Sequence, residues 1–238
     1  MMPPMLEIKV LASGSSGNCY YLTDGYTPLL LDAGIPWKQI QRGLEFKTSE
    51  LAGVLVSHEH GDHAKAVKDI IKAGIDVYSS LGTIEALRVS GHRIKPVKAR
   101  EQFTVGTWTI LPFELQHDAA DPVGFLLANR GGGKLLYLTD TAYCRYRFRG
   151  LTHLMLECNY SLDILRANVD NGAMPIELKN RIVKTHFGLD NVKEFLKAND
   201  LSLVQEIHLI HLSAENSHAE RFKSEIQALT GKPVYVAG

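Results

Sequence analysis

The stretch LVSHEHGDHAKAV, residues 55–67, crowds three histidines, a glutamate and an aspartate into six consecutive positions directly after an apolar run. Such crowding is unfavourable without partners, because charged side chains lose hydration and neutral ones need hydrogen-bonding groups. A cation among His58, His60, Asp62 and His63 would supply those partners. Nitrogen and carboxylate ligands without thiolate are typical of zinc, manganese or iron in a reactive site. We therefore predict a metal site here; the alternative is a solvated polar loop.

Further residues of the ligand type occur along the chain, each where an apolar run stops. Asp32 closes LLLD, His117 follows PFELQ, Asp140 closes KLLYLTD, and His211 lies near the end of EIHLIHLS. Side chains at the ends of neighbouring strands converge on one edge of a sheet. The sequence therefore predicts that these four residues join the histidine-rich loop in one site.

Composition excludes some partners and leaves others open. Among 238 residues, 26 are Lys or Arg and 26 are Asp or Glu, so no global charge attracts nucleic acid or membrane, and such affinity needs a local patch. Three widely spaced cysteines, an odd number, indicate reduced thiols. The start of the chain, MMPPMLEIKV, lacks the pattern of a secretory leader, and no apolar run is long enough for a membrane span. We therefore predict a cytoplasmic protein without membrane binding, of undetermined oligomeric state.

The pattern of apolar residues predicts strands and helices in both halves of the chain. Strands dominate the first half, with a helix directly after the histidine-rich loop, and helices dominate the second half. This mixture fits an α/β chain with two sheets packed face to face and helices on the outside. We predict that it forms a single domain over residues 1–238.

The segment His58-Glu59-His60-Gly61-Asp62-His63 resembles the HxHxDH signature of the metallo-β-lactamase-fold hydrolases. The resemblance implies a four-layer αββα sandwich with two divalent metal ions, zinc or manganese rather than iron, at one edge. Matched by position, the ligands of the first ion are His58, His60 and His117; those of the second are Asp62, His63 and His211; and Asp140 bridges both. Asp32 matches an aspartate that orients the histidine-rich loop, and Glu59 falls at a variable position that we expect to be exposed.

The same resemblance implies hydrolysis. Two cations about 3.5–4 Å apart lower the pKa of a bridging water, so that hydroxide becomes the nucleophile, and they polarise the substrate oxygen. The resemblance also implies a catalytic role for Asp62, in addition to its role as a metal ligand. Redox relatives that bind iron replace one signature histidine by a carboxylate, whereas this chain keeps His60.

Five further segments resemble the YycJ-like (WalJ-like) branch of this family, whose members are cytoplasmic metal-dependent nucleases. They are LASGSSGNCYYL at 11–22, HDAADPVGF at 117–125, LTDTAY at 138–143, LMLECN at 154–159 and HLSAENS at 211–217. The chain departs from the branch at Tyr160-Ser161, where a His-Asp pair is common, and at THFGLDN (185–191), where GHLSN is common. The resemblance implies an exonuclease-like phosphodiesterase acting on DNA or RNA. The alternative is a small-molecule hydrolase of the same fold that cleaves a lactone, thioester or cyclic phosphodiester.

Three further sets of residues are candidates for catalysis or substrate binding. His186 lies where a predicted helix ends, and it either contacts the substrate or caps that helix. In SGSSGN, residues 13–18, Ser15 and Ser16 belong either to a simple turn or to a rim loop that approaches a phosphate.

The third candidate set is the basic stretch CRYRFR, residues 144–149. Arg145, Arg147 and Arg149 alternate with two aromatic residues, so an extended segment places the three guanidinium groups on one face. We predict that Arg145 and Arg147 bind substrate phosphates, the alternative being a solvated edge strand whose aromatic rings pack inward.

Overall fold

The structure is a computed structural model that describes residues 6–237. Its backbone contacts divide the chain into two compact units. The first contains the chain up to Glu114 together with Ala119–Gly133, and the second contains Leu115–Asp118 and the chain from Lys134 onward. The single domain over residues 1–238 stays a prediction. No helix among the described residues combines the length and the apolar character that crossing a membrane requires.

The first unit contains a six-stranded sheet in the order β1-β2-β3-β4-β5-β6. The pairs β1–β2 and β2–β3 are antiparallel, and the pairs from β3 to β6 are parallel. Strands β3 and β4 are buried along their whole length, which is typical of parallel strands covered on both faces. The strands are β1 Glu7–Ala12, β2 Cys19–Thr23, β3 Leu29–Leu31, β4 Gly53–Leu55, β5 Val77–Ser80 and β6 Ile94–Val97.

The first unit also contains four α-helices, a short 3-10 helix at Thr48–Glu50 and three more strands. Ile40 of the first helix and Ile70 of the third are buried in one hydrophobic cluster with Leu30 and Val54 of the sheet. The helices are α1 Trp37–Gly43, α2 Gly61–Ala64, α3 Val67–Lys72 and α4 Leu81–Leu87. The antiparallel strands are β7 Phe103–Val105, β8 Trp108–Glu114 and β9 Val123–Asn129.

The second unit contains four parallel strands in the order β13-β12-β11-β10. They are β10 Lys134–Leu138, β11 His153–Glu157, β12 Glu206–Ile210 and β13 Val234–Val236. Strand β11 is buried throughout. Three helices connect it to β12, whereas the connection from β10 to β11 is irregular. The helices are α5 Leu162–Asp170, α6 Ile176–Thr185, α7 Leu189–Ala198 and α8 Ala219–Thr230.

Two predicted elements differ from the structure. The single helix predicted after the histidines is divided into α2 and α3, because the backbone N–H of Ala66 donates to Ala33 O. The stretch CRYRFR is irregular rather than a strand. The backbone N–H of Phe148 donates to the side chain of Asn199, and the Phe148 ring packs inward against Phe195.

Candidate metal centre

In the first unit, two neighbouring parallel strands end beside each other and place Asp32 next to the histidine-rich loop. Leu31 of β3 pairs with Leu55 of β4, so both strands reach the same edge of the sheet. The backbone N–H of Asp32 donates to Leu55 O (2.8 Å). Asp32 has a φ of 56°, an unfavourable conformation for a residue other than glycine, and such strain is typical of functional sites. The strained turn directs the Asp32 carboxylate towards the loop that follows β4.

Asp32 is fully buried, and it bonds to His63 directly and to His58 through the hydroxyl of Ser57. Its carboxylate accepts from His63 Nδ1 (2.6 Å), from Ser57 Oγ (2.9 Å) and from the Ser57 backbone N–H (2.7 Å). Because the Ser57 hydroxyl donates to Asp32, it accepts from His58 Nδ1, which lies 3.0 Å away. Fixing Nδ1 in this way is the usual means of directing Nε2 of a histidine to a metal ion. The orienting role of Asp32 stays a prediction, and these contacts are the ones that it requires.

Four of the predicted ligands lie together in this unit. The ring of His58 is 4.8 Å from that of His60 and 4.3 Å from that of His63, measured between centroids. His63 Nε2 is 3.5 Å from Asp62 Oδ2. Glu59 is half-buried rather than exposed, and its Oε1 accepts from the backbone N–H of Ala120 (2.7 Å).

The SGSSGN segment reaches this cluster through Asn18, a residue that the sequence analysis did not select. Asn18 is fully buried, and both its backbone N–H (2.7 Å) and its side-chain amide (3.3 Å) donate to Asp62 O. The same amide nitrogen lies 3.2 Å from His63 Nε2. Ser15 and Ser16 are exposed at the tip of the preceding turn. The segment is therefore a turn whose last residue supports the histidine-rich loop.

In the second unit, three parallel strands end at one edge and each presents a polar residue there. Asp140 follows β10, Glu157 ends β11 and His211 follows β12. Asp140 has a φ of 41° and His211 a φ of 53°, so both repeat the strained turn seen at Asp32.

Asp140 directs one oxygen to each of two histidines. Its Oδ2 lies 3.4 Å from His117 Nε2, and its Oδ1 lies 3.5 Å from His211 Nε2. His117 Nδ1 donates to Thr185 O (2.8 Å), while His211 Nδ1 lies 3.0 Å from the amide nitrogen of Asn159. Burial lowers the pKa of His117 and favours the neutral imidazole that binds metals. A carboxylate between two oriented imidazoles is the arrangement expected of a bridging ligand.

His186 lies beside this group and forms a short hydrogen bond with a buried glutamate. Its Nδ1 donates to Glu157 Oε1 (2.6 Å), and its ring stacks on that of His211 at 5.5 Å. Glu157 Oε2 accepts from the backbone N–H groups of Thr141 (3.1 Å) and Phe187 (3.0 Å). Burial favours the neutral form of His186, but the Glu157 carboxylate and two aspartates outweigh it and raise the pKa of His186 to about 9. His186 also ends α6, since its backbone N–H donates to Ile182 O.

Glu157 and Asn159 are functional candidates that residue-by-residue reasoning missed. Both belong to LMLECN, one of the segments that resemble the YycJ-like branch, and this was the available signal. One ligand-type atom from each of Asp140, Glu157, His186 and His211 lies within 4.8 Å of the others. The carboxylate of Asp140 and the imidazole of His211 are donors that fit divalent cations. The raised pKa of His186 favours its protonated form, which does not bind a cation.

The chain has relatives among known proteins. The family model described as the beta-lactamase superfamily domain matches residues 27–211. The chain belongs to the metallo-β-lactamase superfamily. It is 30% identical to exodeoxyribonuclease YycJ of Bacillus anthracis over 233 residues, covering 90% of this chain and 85% of that protein. It is 31% identical to exodeoxyribonuclease WalJ of Streptococcus pneumoniae, covering 90% of this chain and 84% of that protein. The predicted resemblance to this branch of the superfamily is confirmed.

A solved structure from the superfamily has the same fold. The metallo-β-lactamase-fold protein YhfI of Bacillus subtilis aligns with a TM-score of 0.74 at 16% identity, covering 98% of this chain and 96% of that one. At this identity the likeness concerns the fold alone. It confirms the predicted α/β metallo-β-lactamase fold with its two sheets and helices.

Proposed function

We propose that this protein is a metal-dependent exodeoxyribonuclease of the cytoplasm. The observation that carries the proposal is the pair of contacts at Asp140, whose two carboxylate oxygens each face a different oriented imidazole. A carboxylate with that geometry suits a hydrolase with a pair of metal ions. The names of the relatives YycJ and WalJ, which match over 90% of the chain, favour DNA over RNA as the substrate.

The proposed ligand set contains seven residues and would hold two divalent ions, zinc or manganese. When bound, such ions provide an activated water at neutral pH and polarise the phosphoryl oxygen of the substrate. The seven ligands are His58, His60, Asp62, His63, His117, Asp140 and His211.

The chain's own residues orient the ligands and move a proton. Asp32 and Ser57 hold the imidazoles of His58 and His63 in one tautomer. His186 Nδ1 is bonded to Glu157, which leaves Nε2 to contact the substrate. We assign His186 Nε2 the proton that the leaving oxygen takes up when the P–O bond breaks.

Metal analysis tests the shared role of Asp140. Wild-type protein should contain about two ions per chain. Asp140→Ala should lose most of both, because the two Asp140 oxygens face one proposed ligand of each ion, His117 and His211. Elemental analysis after dialysis against metal-containing buffer gives the stoichiometry. Asp170→Ala, which removes an exposed aspartate at the end of α5, is the control. Equal metal content in Asp140→Ala and wild type would exclude the bridging role.

The arginines near the end of β10 provide a test of DNA binding. Arg145 and Arg147 are exposed, and the Arg145 guanidinium lies 5.1 Å from the centroid of the Tyr146 ring. If they bind backbone phosphates, the double variant Arg145→Ala/Arg147→Ala should weaken DNA affinity by about tenfold or more at moderate salt. The slope of log affinity against log salt should fall by about one unit for each phosphate that the variant no longer binds. Fluorescence titrations at several salt concentrations measure both quantities.

The control for this titration is Arg166→Ala, an exposed arginine on α5. It should keep the wild-type affinity and slope. An unchanged slope and affinity in the double variant would mean that residues 144–149 are only a solvated loop. Ser15 and Ser16, the other proposed phosphate ligands, can be tested as a double alanine variant in the same titration.

An activity panel tests the proposed function as a whole. Labelled DNA, labelled RNA, a simple phosphodiester ester, a lactone and a thioester are incubated with the protein and added Mn²⁺ or Zn²⁺. Hydrolysis of DNA in preference to the lactone and thioester supports the nuclease. Opening of the lactone or thioester without cleavage of any phosphodiester would instead identify a small-molecule hydrolase.

A further inference from the structure

Arg181, on α6, is joined to a proposed metal ligand through one carboxylate. Arg181 Nε donates to Asp118 Oδ2 (3.0 Å), and Nη2 lies 2.9 Å from the same oxygen. The other oxygen of Asp118, Oδ1, is 3.3 Å from His117 Nε2. The Asp118 carboxylate therefore connects the Arg181 guanidinium group to His117 Nε2, the nitrogen that we assign to a metal ion.

Helix α6, which carries Arg181, is also bonded to His117 and, through His186, to Glu157. His117 Nδ1 donates to Thr185 O, and the Thr185 hydroxyl donates to Arg181 O (2.9 Å). The next residue, His186, ends the helix and bonds to Glu157. The last turn of α6 thus sets the position of Arg181 relative to His117 and His186 at the same time.

Folding alone does not account for this arginine. Its side chain is 64% exposed, and exposed ion pairs contribute little to the free energy of unfolding. Asp118 contacts two nitrogens of the guanidinium group, Nε and Nη2. The group has five N–H donors in all, and their planar arrangement fits a phosphate. Lys184, one turn further along, is also exposed, so this part of α6 adds positive charge.

We propose that Arg181 binds the substrate phosphate that neighbours the scissile one, with Asp118 holding the guanidinium group in place. The proposal rests on the proposed function, since it assigns a subsite to the same phosphodiester substrate. This role differs from the one proposed for Arg145 and Arg147, which would bind backbone phosphates of a long DNA strand. Arg181 therefore determines specificity for substrates that carry a second phosphate.

Short substrates test the subsite directly. The wild-type protein is given a dinucleotide with a single internal phosphate, and the same dinucleotide with an added phosphate at its 5′ or its 3′ end. We expect kcat/KM to be about tenfold or more higher for one of the phosphorylated forms, through a lower KM, as a charge-assisted fork contact implies. Arg181→Ala should bring this ratio close to one.

Two variants and one metal measurement complete the experiment. Arg181→Lys should give an intermediate ratio, because an ammonium keeps the charge without the fork. Arg166→Ala should keep the wild-type ratio. Metal content should be the same in wild type and Arg181→Ala, since Arg181 is not proposed as a support for His117.

Three results would overturn the subsite. Arg181→Ala could keep the wild-type ratio, wild type could cleave the phosphorylated and unphosphorylated forms equally well, or Arg181→Ala could lose its bound metal. Failure of the proposed function gives a different result from these three, because the wild-type protein would then cleave none of the dinucleotides. That result would also exclude the subsite.

Discussion

Replacing Asp62 with alanine should lower the turnover of DNA hydrolysis by about three orders of magnitude or more, while the protein still folds. The carboxylate is a proposed metal ligand and lies 3.5 Å from His63 Nε2, so its loss removes a group at the reaction centre. The hydrogen bonds that hold the loop in place use the Asp62 main chain, since Asn18 donates to Asp62 O. Those hydrogen bonds survive the substitution. Turnover and thermal unfolding are measured on the same preparation.

His60→Ala should behave in the same way, because His60 is also a proposed ligand. The control is Lys65→Ala, which removes an exposed charge shortly after the signature and should leave turnover unchanged. If Asp62→Ala or His60→Ala retains turnover within about tenfold of wild type, the substituted residue is not required for the reaction. A large fall in melting temperature would show a folding role instead.

Substitution of His186 should give the second largest effect, a loss of about 100-fold to 1,000-fold in kcat on DNA. Loss of a proton donor matters most when the leaving group is a poor one, such as the sugar hydroxyl of DNA. We therefore expect a much smaller loss on a p-nitrophenyl phosphodiester, whose leaving group needs no proton. Glu157→Gln, which removes the charge that stabilises protonated His186, should show the same dependence on leaving group in weaker form.

The leaving-group comparison separates proton transfer from positioning. If His186 only supports the ring of His211, on which it stacks, His186→Ala should lower the rates on both substrates by the same factor. His92→Ala, at an exposed histidine of the first unit, is the control and should change neither rate. Equal losses on the two substrates would contradict the assigned proton transfer.

Local patterns in the sequence were enough to select some of the candidate residues. Asp32, Asp140 and His211 could be identified because an apolar run marks a buried strand, and the residue that follows such a strand lies at the edge of the sheet. The HxHxDH spacing added the histidine-rich loop. The resemblance to a known family then supplied roles that spacing alone leaves open.

Residues whose roles depend on distant partners could not be predicted in this way. Glu157 ends an apolar run like the other site residues, but its partner His186 is 29 positions away and ends a helix. Asn18 supports Asp62 across 44 positions. Phe148 packs inward because Asn199, 51 residues later, takes up its backbone N–H. Local propensity and periodicity carry no information about such pairings.

Metal-dependent removal of nucleotides from DNA ends is the proposed activity of this protein. The most direct test follows nucleotide release from end-labelled linear DNA by protein that has been stripped with a chelator, before and after Mn²⁺ or Zn²⁺ is restored. A covalently closed circle of the same sequence is included as a substrate without ends. We expect release of nucleotides from the linear DNA only when metal is present, an intact circle, and no release by Asp62→Ala. Release by the stripped protein, or no release from linear DNA with either metal, would contradict the account.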